Sequence, residues 1–472
     1  MTISEIASYK GFTYGHMTIG ECINVATEAG LSVGNVIIEE ACESLKLSKE
    51  EVTNCMEEAF QHNFEAARIG ATTGSSFLLG GVGNDLAKED AHKIVEDTFV
   101  NKAITYTLAA QVGNHSIGLR PCAGTGDSCP YTGFVMAMKE EFEDFELHHR
   151  VMAVILKTGG MFRIGKRTTG CNMEGFGAGA AATAAAFVEL YGGTPAEMER
   201  AISLAISPTI SVPCTPRVMV PGLCATHIGG AILIGRLASQ LSMYTSLPST
   251  VPADVMIAMA AQCHIASAKN IVPITIDYME PFFKHNEKVD WYIPQEVKEE
   301  EVQRQQELIA RAIQESRQLA AKASPITQPF GDAVVGGSSL GVGSPTNCAR
   351  IAHFLAKGEV KKVKIEIYDE MFARRAINVP GILMAAIDGY GTSDVEAYKN
   401  SMDVARAKGV DVEIIKIHEP GIQRISVYAT EANSMVESVN SGGARLILKR
   451  VEPSIEKARE IADKLNIVII DE

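Results

Sequence analysis

Three cysteines in the middle of the chain have the chemistry of metal ligands. Cys171, Cys214 and Cys224 each lie within two residues of a glycine or proline. Because those residues break regular structure, the three thiols are expected on separate loops. Structural zinc sites usually take two ligands from one C-x2-C knuckle, and the sequence has none. Thiolates on separate loops favour an iron–sulfur cluster, although free cysteines are often simply small buried residues.

The segments around these cysteines resemble the iron–sulfur-dependent L-serine dehydratases. In that family G-C-Q-x-E, G-G-T-P, C-D-P-V and V-P-C elements follow one another in this order. Their counterparts here are Gly170–Glu174, Gly192–Pro195, Cys214–Val218 and Pro221–Cys224. The resemblance implies a [4Fe–4S] cluster held by Cys171, Cys214 and Cys224, with one iron open to the substrate.

A loop of small and hydroxyl-bearing residues precedes this region. Residues 114–118 resemble the family's N-x-S-M-G stretch, and the residues after them resemble A-P-T-A-G-S-C-G. Backbone N–H groups of such a loop are suited to a carboxylate, although a tight turn before the helix from Tyr131 is the alternative. We expect substrate contacts from four of its residues: Asn114, Gly124, Thr125 and Ser128. Cys122 and Cys129 are expected to be buried thiols outside the cluster.

Candidate catalytic groups flank the cysteine elements. Glu174 matches the family's glutamate and either takes a proton from the substrate or caps the helix that follows it. His115 and His227 are candidates for binding a carboxylate or carrying protons, although a lone histidine is more often structural. Lys166 and Arg167 either hold a substrate carboxylate or belong to a solvated loop.

Composition limits the partners and the compartment. The chain has 472 residues, of which 46% are hydrophobic and 21% charged, and its net charge is −14. Nucleic acids and anionic membranes bind basic patches, so we expect neither as a partner. The N-terminus shows no signal-peptide pattern, and ten cysteines in so long a chain favour free thiols or metal ligands over disulfides. We therefore expect a cytoplasmic protein and, by family analogy, a homodimer.

The elements expected around the site are mainly helices. We predict an all-helical, cluster-binding domain over residues 1–324, followed by a smaller α/β domain over residues 325–472. Ser48 and Glu51 have the spacing of a capping box, and helices are expected to resume over residues 87–112. The small residues of 175–190 predict a central helix that neighbouring backbones approach closely.

The polar tract 296–323 predicts a solvated linker helix between the two domains. In the second domain, alternating residues predict strands at 363–368 and 410–415. Helical patterns cover residues 347–357 and 394–408.

The second domain departs from the family in the residues that would meet the substrate. Residues 336–345 take the place of the β-domain signature G-P-S-S-S-H-T-x-G-P, and Ser338 and Ser339 match its serines. This match implies that both serines contact the substrate. The signature histidine is replaced by Leu340 or Gly341, and the basic K-R-N after the third cysteine is Thr226–Ile228. The cluster ligands are thus kept while the residues around the substrate have changed.

Three functions are compatible with these residues. The default is a lyase that converts L-serine to pyruvate and ammonia with a [4Fe–4S] cluster. The second is a cluster-dependent cysteine desulfidase, or a lyase for another small amino or hydroxy acid, which the altered residues favour. The third is a non-catalytic relative that only binds a ligand, which the three retained cysteines and Glu174 disfavour.

Overall fold

The chain folds into two compact units. The computed structural model describes residues 1–120, 128–164, 176–210, 220, 222–249, 251–322, 333–337, 342–440 and 445–470. Its units are Met1–Gln314 and Glu315–Glu472. The first is helical and the second contains a five-stranded sheet, which confirms the predicted fold class. The domain limits predicted at residues 324 and 325 stay a prediction.

Helices account for the described secondary structure of the first unit. They are α1 (Ile3–Tyr9), α2 (Ile19–Ala29), α3 (Val33–Leu45), α4 (Lys49–Thr72), α5 (Val82–Ala87), α6 (Thr98–Ile117), α7 (Cys129–Glu141), α8 (Phe145–Ile164), α9 (Gly179–Leu190), α10 (Pro195–Ile206), α11 (Leu223–Tyr244), α12 (Ala253–Asn270), α13 (Val272–Met279), α14 (Glu287–Asp290) and α15 (Gln295–Lys322), which continues into the second unit. Short 3₁₀ turns cover Ser207–Thr209 and Glu280–Phe282. No single described helix is both long and apolar enough to cross a membrane; α12 and the segment Val272–Phe282, bent by 46°, pass that test only as a pair.

The predicted capping box starts the long helix α4. The Ser48 N–H donates to the Glu51 carboxylate at 2.7 Å, and the Glu51 N–H donates to the Ser48 hydroxyl at 3.2 Å. These hydrogen bonds hold the pKa of the Glu51 carboxyl below its usual value. The capping box thus satisfies two backbone N–H groups at this end of the helix, and the sequence pattern marks where α4 begins.

The centre of the first unit is the alanine-rich helix α9. Every residue from Gly179 to Leu190 is buried, which confirms the predicted central helix. Its one internal hydroxyl, on Thr183, donates to the carbonyl of Gly179 at 2.7 Å. Because most of its side chains are methyl groups, α8, α10 and α11 can pack directly against its backbone.

Glycines bring α4 and α6 into backbone contact. A Cβ on Gly113 of α6 would overlap the Ala66 carbonyl of α4, and a Cβ on Gly70 of α4 would overlap the Ala109 carbonyl of α6. The two helices can therefore approach closely only while both positions lack a side chain. This contact sets the position of the C-terminal half of α6, which carries Gln111 and His115.

One helix differs from the prediction. Helical structure was expected to be continuous over residues 87–112, but α5 ends at Ala87 and α6 begins at Thr98. Asp97 caps α6 by accepting the Val100 N–H at 3.0 Å, and the Asn101 side chain accepts the Ile94 N–H at 2.8 Å. These two polar side chains satisfy backbone donors outside a helix and so end the continuous pattern.

The second unit is one mixed sheet with helices. Its elements are α16 (Ser344–Leu355), β1 (Val360–Tyr368), α17 (Asp369–Ala373), α18 (Arg375–Asp388), α19 (Val395–Ala407), β2 (Asp411–Ile417), β3 (Ile422–Ala429), β4 (Ser434–Asn440), β5 (Leu446–Glu452) and α20 (Ile455–Lys464). The strand order is β2-β1-β3-β4-β5, with β1 and β2 parallel and the other pairs antiparallel. Both predicted strands and both predicted helices are confirmed. Alternation in β1 buries Val363, Ile365 and Ile367 completely.

The contact between α4 and α6 predicts a large effect of one added methyl group. We expect Gly113→Ala to lower the free energy of unfolding by about 1–3 kcal/mol, because overpacking forces the two backbones apart. Thermal and urea unfolding of the full chain would measure it. Gly229→Ala in α11 is the matched control, because its Cβ would meet Ile104 at an ordinary 3.5 Å. Equal stability of the two variants would contradict the close contact.

Candidate functional site

Cys224 lies in the first turn of α11, not on a loop as expected from the sequence, and is buried. Gly222 precedes the helix with a φ of +83°, a conformation that glycine adopts without strain. The Gly222 N–H donates to the Leu78 carbonyl at 3.1 Å, which fastens the start of α11 to the turn between α4 and α5. Only 6% of Cys224 is exposed, and it packs with Ala67, Ala110 and Ile228. The thiol is thus held in place, in apolar surroundings, by two separate parts of the helical unit.

Gln111 connects Cys224 to two other side chains. Its amide nitrogen donates to the Cys224 sulfur at 3.8 Å and lies 3.4 Å from Nε2 of His115. Its carbonyl oxygen accepts the thiol proton of Cys129 at 2.7 Å. The buried amide therefore joins Cys224, Cys129 and His115 in one polar group.

His115 is oriented by a serine in the glycine-rich turn. The hydroxyl of Ser76 contacts Nδ1 of His115. The same hydroxyl oxygen accepts the backbone N–H groups of Leu78 and Leu79 at 3.1 and 3.0 Å. On the other side of the ring, Nε2 lies 3.4 Å from the Gln111 amide nitrogen. The serine and the amide therefore hold the ring of His115 at both of its nitrogens.

Both ring nitrogens of His115 have contacts within the helical unit. Nδ1 meets the Ser76 hydroxyl and Nε2 faces the Gln111 amide, while the residue itself is exposed. An oriented and exposed imidazole near Cys224 suits hydrogen bonding to a carboxylate or hydroxyl of a bound ligand. Whether His115 binds a carboxylate or carries protons stays a prediction.

His227 lies against an aromatic ring, whereas His115 lies in a polar network. It follows Cys224 by three residues in α11, so the two side chains share one face of the helix. Its ring stacks on Phe176 at 5.6 Å between centroids and 16° between planes. Its Nδ1 is buried and has no hydrogen-bond partner among the residues that the structure describes. A buried ring nitrogen without a partner costs free energy unless a ligand or water meets it, so His227 is the better placed candidate base.

Two other predicted contacts lie at the ends of the small-residue loop. The Asn114 side chain accepts the Leu119 N–H at 3.0 Å and so serves the turn after α6. Asn63 of α4 holds the next residue, because its amide makes two 2.8 Å hydrogen bonds with the backbone of Arg120. Ser128 is fully buried at the start of α7. Asn114 thus has a structural role in the described geometry, while both ends of the loop are fixed.

The remaining predicted site residues fall outside the part of the chain that the structure describes. They are Cys171, Cys214, Glu174, Gly124, Thr125, Lys166, Arg167, Ser338 and Ser339. Among the described residues no three histidine, cysteine or acidic side chains converge as metal ligands. The cluster triad therefore stays a prediction. The donor chemistry around Cys224 fits it, because hydrogen bonds to ligand sulfurs and an apolar surround are typical of iron–sulfur sites.

A separate cavity of about 680 Å³ opens where α8, α12 and the loop before α2 meet. Its polar lining includes Lys157, Asp254 and His264. Lys157 pairs with the buried Glu40 at 2.9 Å, and Asp254 accepts the Gly20 N–H at 3.1 Å. None of the described site residues lines this cavity, so its size alone does not make it part of the candidate site.

Two site residues were missed by reasoning from the sequence. Gln111 lies one helical turn before His115, and it is the polar residue within the run LAAQV of α6. Ser76 lies in the glycine-rich turn after α4, which no sequence pattern marked as part of the site. A polar side chain on an otherwise apolar, buried helix face is the signal that could have found Gln111.

Comparisons with known proteins agree on one family. The family model described as "Serine dehydratase alpha chain" matches residues 28–270. A protein of Bacillus subtilis (strain 168) named "Probable L-serine dehydratase, alpha chain" is 25% identical over 260 residues. The matched region covers 51% of this chain and 82% of that protein. The match includes α4, α6 and α11, the helices that carry Cys224 and its partners.

The Ser76 contact predicts that one tautomer of His115 is favoured. Two-dimensional ¹⁵N NMR with histidine-selective labelling should show a single ring tautomer of His115 in the full-length protein. Ser76→Ala should remove this preference and also destabilise the turn by about 1 kcal/mol, because the Leu78 and Leu79 N–H groups lose their acceptor. Ser75→Ala, at an exposed neighbour, is the control. The same tautomer populations in the unmodified protein and in Ser76→Ala would refute the role of the contact.

Proposed function

Because the chain belongs to the serine dehydratase alpha chain family, we propose that it is a [4Fe–4S]-dependent lyase acting on a small hydroxy amino acid. The default reaction converts L-serine to pyruvate and ammonia. The observation that carries the proposal is the network in which buried Cys224 is linked through Gln111 to His115, whose ring Ser76 orients. His227 supports it, because its buried Nδ1 has no hydrogen-bond partner within the described ranges and lies one turn from Cys224.

The cluster would be held by Cys171, Cys214 and Cys224. When bound, it would supply a Lewis acid that assists departure of the substrate hydroxyl. The chain's own part at Cys224 is to hold the thiol rigidly and to donate one hydrogen bond to its sulfur from Gln111. Such a bond stabilises a thiolate against protonation and so favours its role as a ligand.

His115 would bind the substrate and keep it oriented. Its ring would hydrogen-bond a carboxylate oxygen of the substrate, while Ser76 holds the ring at Nδ1. Ser76 is itself fixed by two backbone N–H groups, so the orientation of the ring is set before the substrate arrives. Lys166 and Arg167 are the proposed cationic partners of the same carboxylate.

His227 would take the α-proton of the substrate at Nδ1. Loss of this proton and of the hydroxyl gives a 2-amino-2-enoic acid, which tautomerises to an imine and hydrolyses to the 2-oxo acid and ammonia. The water lost in the elimination is taken up again in the hydrolysis, so the net reaction releases ammonia and needs no oxidant or reductant. Glu174 stays the alternative base, since its family match places it three residues after Cys171.

A second candidate keeps the site and changes the leaving group. Thr226–Ile228 replaces the basic K-R-N element of the family directly after Cys224. A cysteine desulfidase would use the same α-proton removal and release sulfide instead of water. His227, whose Nδ1 has no partner in the described part of the chain, falls within this replaced element, so the sequence change and the geometry concern the same residue. A merely binding relative would give no reason to keep all three cysteines of the family's ligand set.

Anaerobic purification tests the cluster. We expect a brown protein with about four irons per chain, which releases a 2-oxo acid from L-serine or from L-cysteine. Cys224→Ser should lose iron and activity, whereas Cys55→Ser, at an exposed position in α4, should keep both. The preferred substrate chooses between dehydratase and desulfidase. A colourless protein that cannot be reconstituted with iron and sulfide would refute both functions.

The two histidines should fail in different ways. His227→Gln should lower kcat about 100-fold with little change in KM, because it removes a general base. His115→Gln should mainly raise KM, about tenfold, because it removes one ligand hydrogen bond. Iron content of both variants should equal that of the unmodified protein. Equal effects on KM and kcat in both variants would contradict the separate roles.

A further inference from the structure

Helix α15 has two different long sides. One side rests on α13 and the 3₁₀ turn after it, where Arg304 pairs with Glu280 at 2.7 Å and Arg311 pairs with Asp277 at 2.8 Å. Gln305 on the same side donates to the Pro281 carbonyl at 2.7 Å, and Leu308 is 7% exposed. This side of the helix is therefore already used within the chain.

The neighbouring side carries an apolar stripe that nothing in the described chain covers. Val302, Ile309 and Ile313 follow one another at steps of seven and four residues. They are 55%, 39% and 46% exposed. Ala320 continues the line at the next step of seven. A narrow stripe with this spacing is the seam of a coiled coil, not the broad face of a helix packed on a globular core.

The charges beside this stripe are complementary under a two-fold rotation. Glu299 lies as far before Leu308 as Arg317 lies after it. Because five full helical turns separate Glu299 from Arg317, both side chains lie on the same side of the stripe. When two identical helices pair antiparallel about a two-fold axis, residues on the same side and at mirrored heights face each other. Centred near Leu308, this pairing sets Glu299 of one copy against Arg317 of the other, twice per dimer.

The apolar residues are nearly symmetric about the same centre, Leu308. Val302 and Ile313 lie almost equally far from Leu308 on either side, so each Val302 would meet the Ile313 of the other copy. A parallel pair would instead place the two copies of Glu299, and likewise of Arg317, on opposite sides of the seam, so the pairing of Glu299 with Arg317 would be lost. The charge pattern therefore favours the antiparallel direction.

We propose that two copies of this chain associate through an antiparallel pairing of their α15 helices along Val302, Ile309 and Ile313, with Glu299 facing Arg317 of the other copy. This inference gives the expected homodimer an interface and an orientation. It depends on neither the cluster nor the substrate. Its test therefore uses assembly alone and cannot be confused with a failure of the proposed chemistry.

Sedimentation velocity of the full-length protein over a range of concentrations tests the pairing. The unmodified chain should be a dimer. The double variant Ile309→Glu and Ile313→Glu should be a monomer with unchanged far-ultraviolet circular dichroism, because both side chains are already exposed. Glu300→Arg changes the same charge on another side of the helix and should leave the dimer intact.

A charge exchange makes the test specific for this geometry. Glu299→Arg and Arg317→Glu, each alone, should weaken dimerisation about tenfold, because each places like charges opposite each other twice. Together the two substitutions should restore it, since the pair is reformed with its signs reversed. A monomeric unmodified protein, a dimer indifferent to the stripe variant, or a double exchange that fails to restore dimerisation would each overturn the proposal. So would a monomer that floats with phosphatidylcholine vesicles.

Discussion

The helical unit depends on a backbone contact between α4 and α6 that side chains would prevent. Gly70 and Gly113 each leave room for a carbonyl of the opposite helix. A Cβ on Gly83 of α5 would likewise lie only 2.6 Å from the Cα of Ala109 in α6. The close approach of α4, α5 and α6 therefore depends on glycine at these three positions. Because the turn that contains Ser76 connects α4 to α5, the same contact fixes its height against α6 and brings Ser76 to His115.

From that contact the site follows in a short series of hydrogen bonds. The Ser76 turn also accepts the N–H of Gly222 through Leu78, so the start of α11 is fixed to the same place as the end of α6. Gln111 then spans the remaining gap between the two helices. Cys224 and His115, although more than a hundred residues apart in the chain, are positioned by one turn and one buried amide. Preorganisation of this kind needs no movement of the chain when a ligand binds.

The sequence predicted the elements better than it predicted the contacts between them. The capping box of Ser48 and Glu51, the alanine-rich helix α9 and the strands β1 and β2 are local patterns, and each was readable from neighbouring residues alone. The break before α6 was missed because it depends on the Asn101 side chain accepting the Ile94 N–H, and the spacing of apolar residues does not reveal such a hydrogen bond. Gln111 and Ser76 were missed for the same reason, since their role exists only after α4, α6 and α11 have packed. The family likeness supplied Cys224, and the positions of His115 and His227 beside the cysteine elements made both histidines candidates. Their different surroundings, a polar network for His115 and a stacked Phe176 for His227, exist only in the folded chain.

That distinction bears on which substrate the site can serve. Serine must lose hydroxide, which is a far stronger base and therefore a poorer leaving group than the hydrosulfide that cysteine would lose. Elimination from serine therefore needs much stronger assistance at the leaving group than elimination from cysteine. In the described part of the site His115 is an oriented polar ring, and it can serve either the carboxylate or the leaving group of one bound molecule. If Lys166 and Arg167 hold the carboxylate, His115 can assist hydroxide and serine is a competent substrate. If His115 must hold the carboxylate itself, the leaving group has to depart with less help, and the chemistry then favours sulfur.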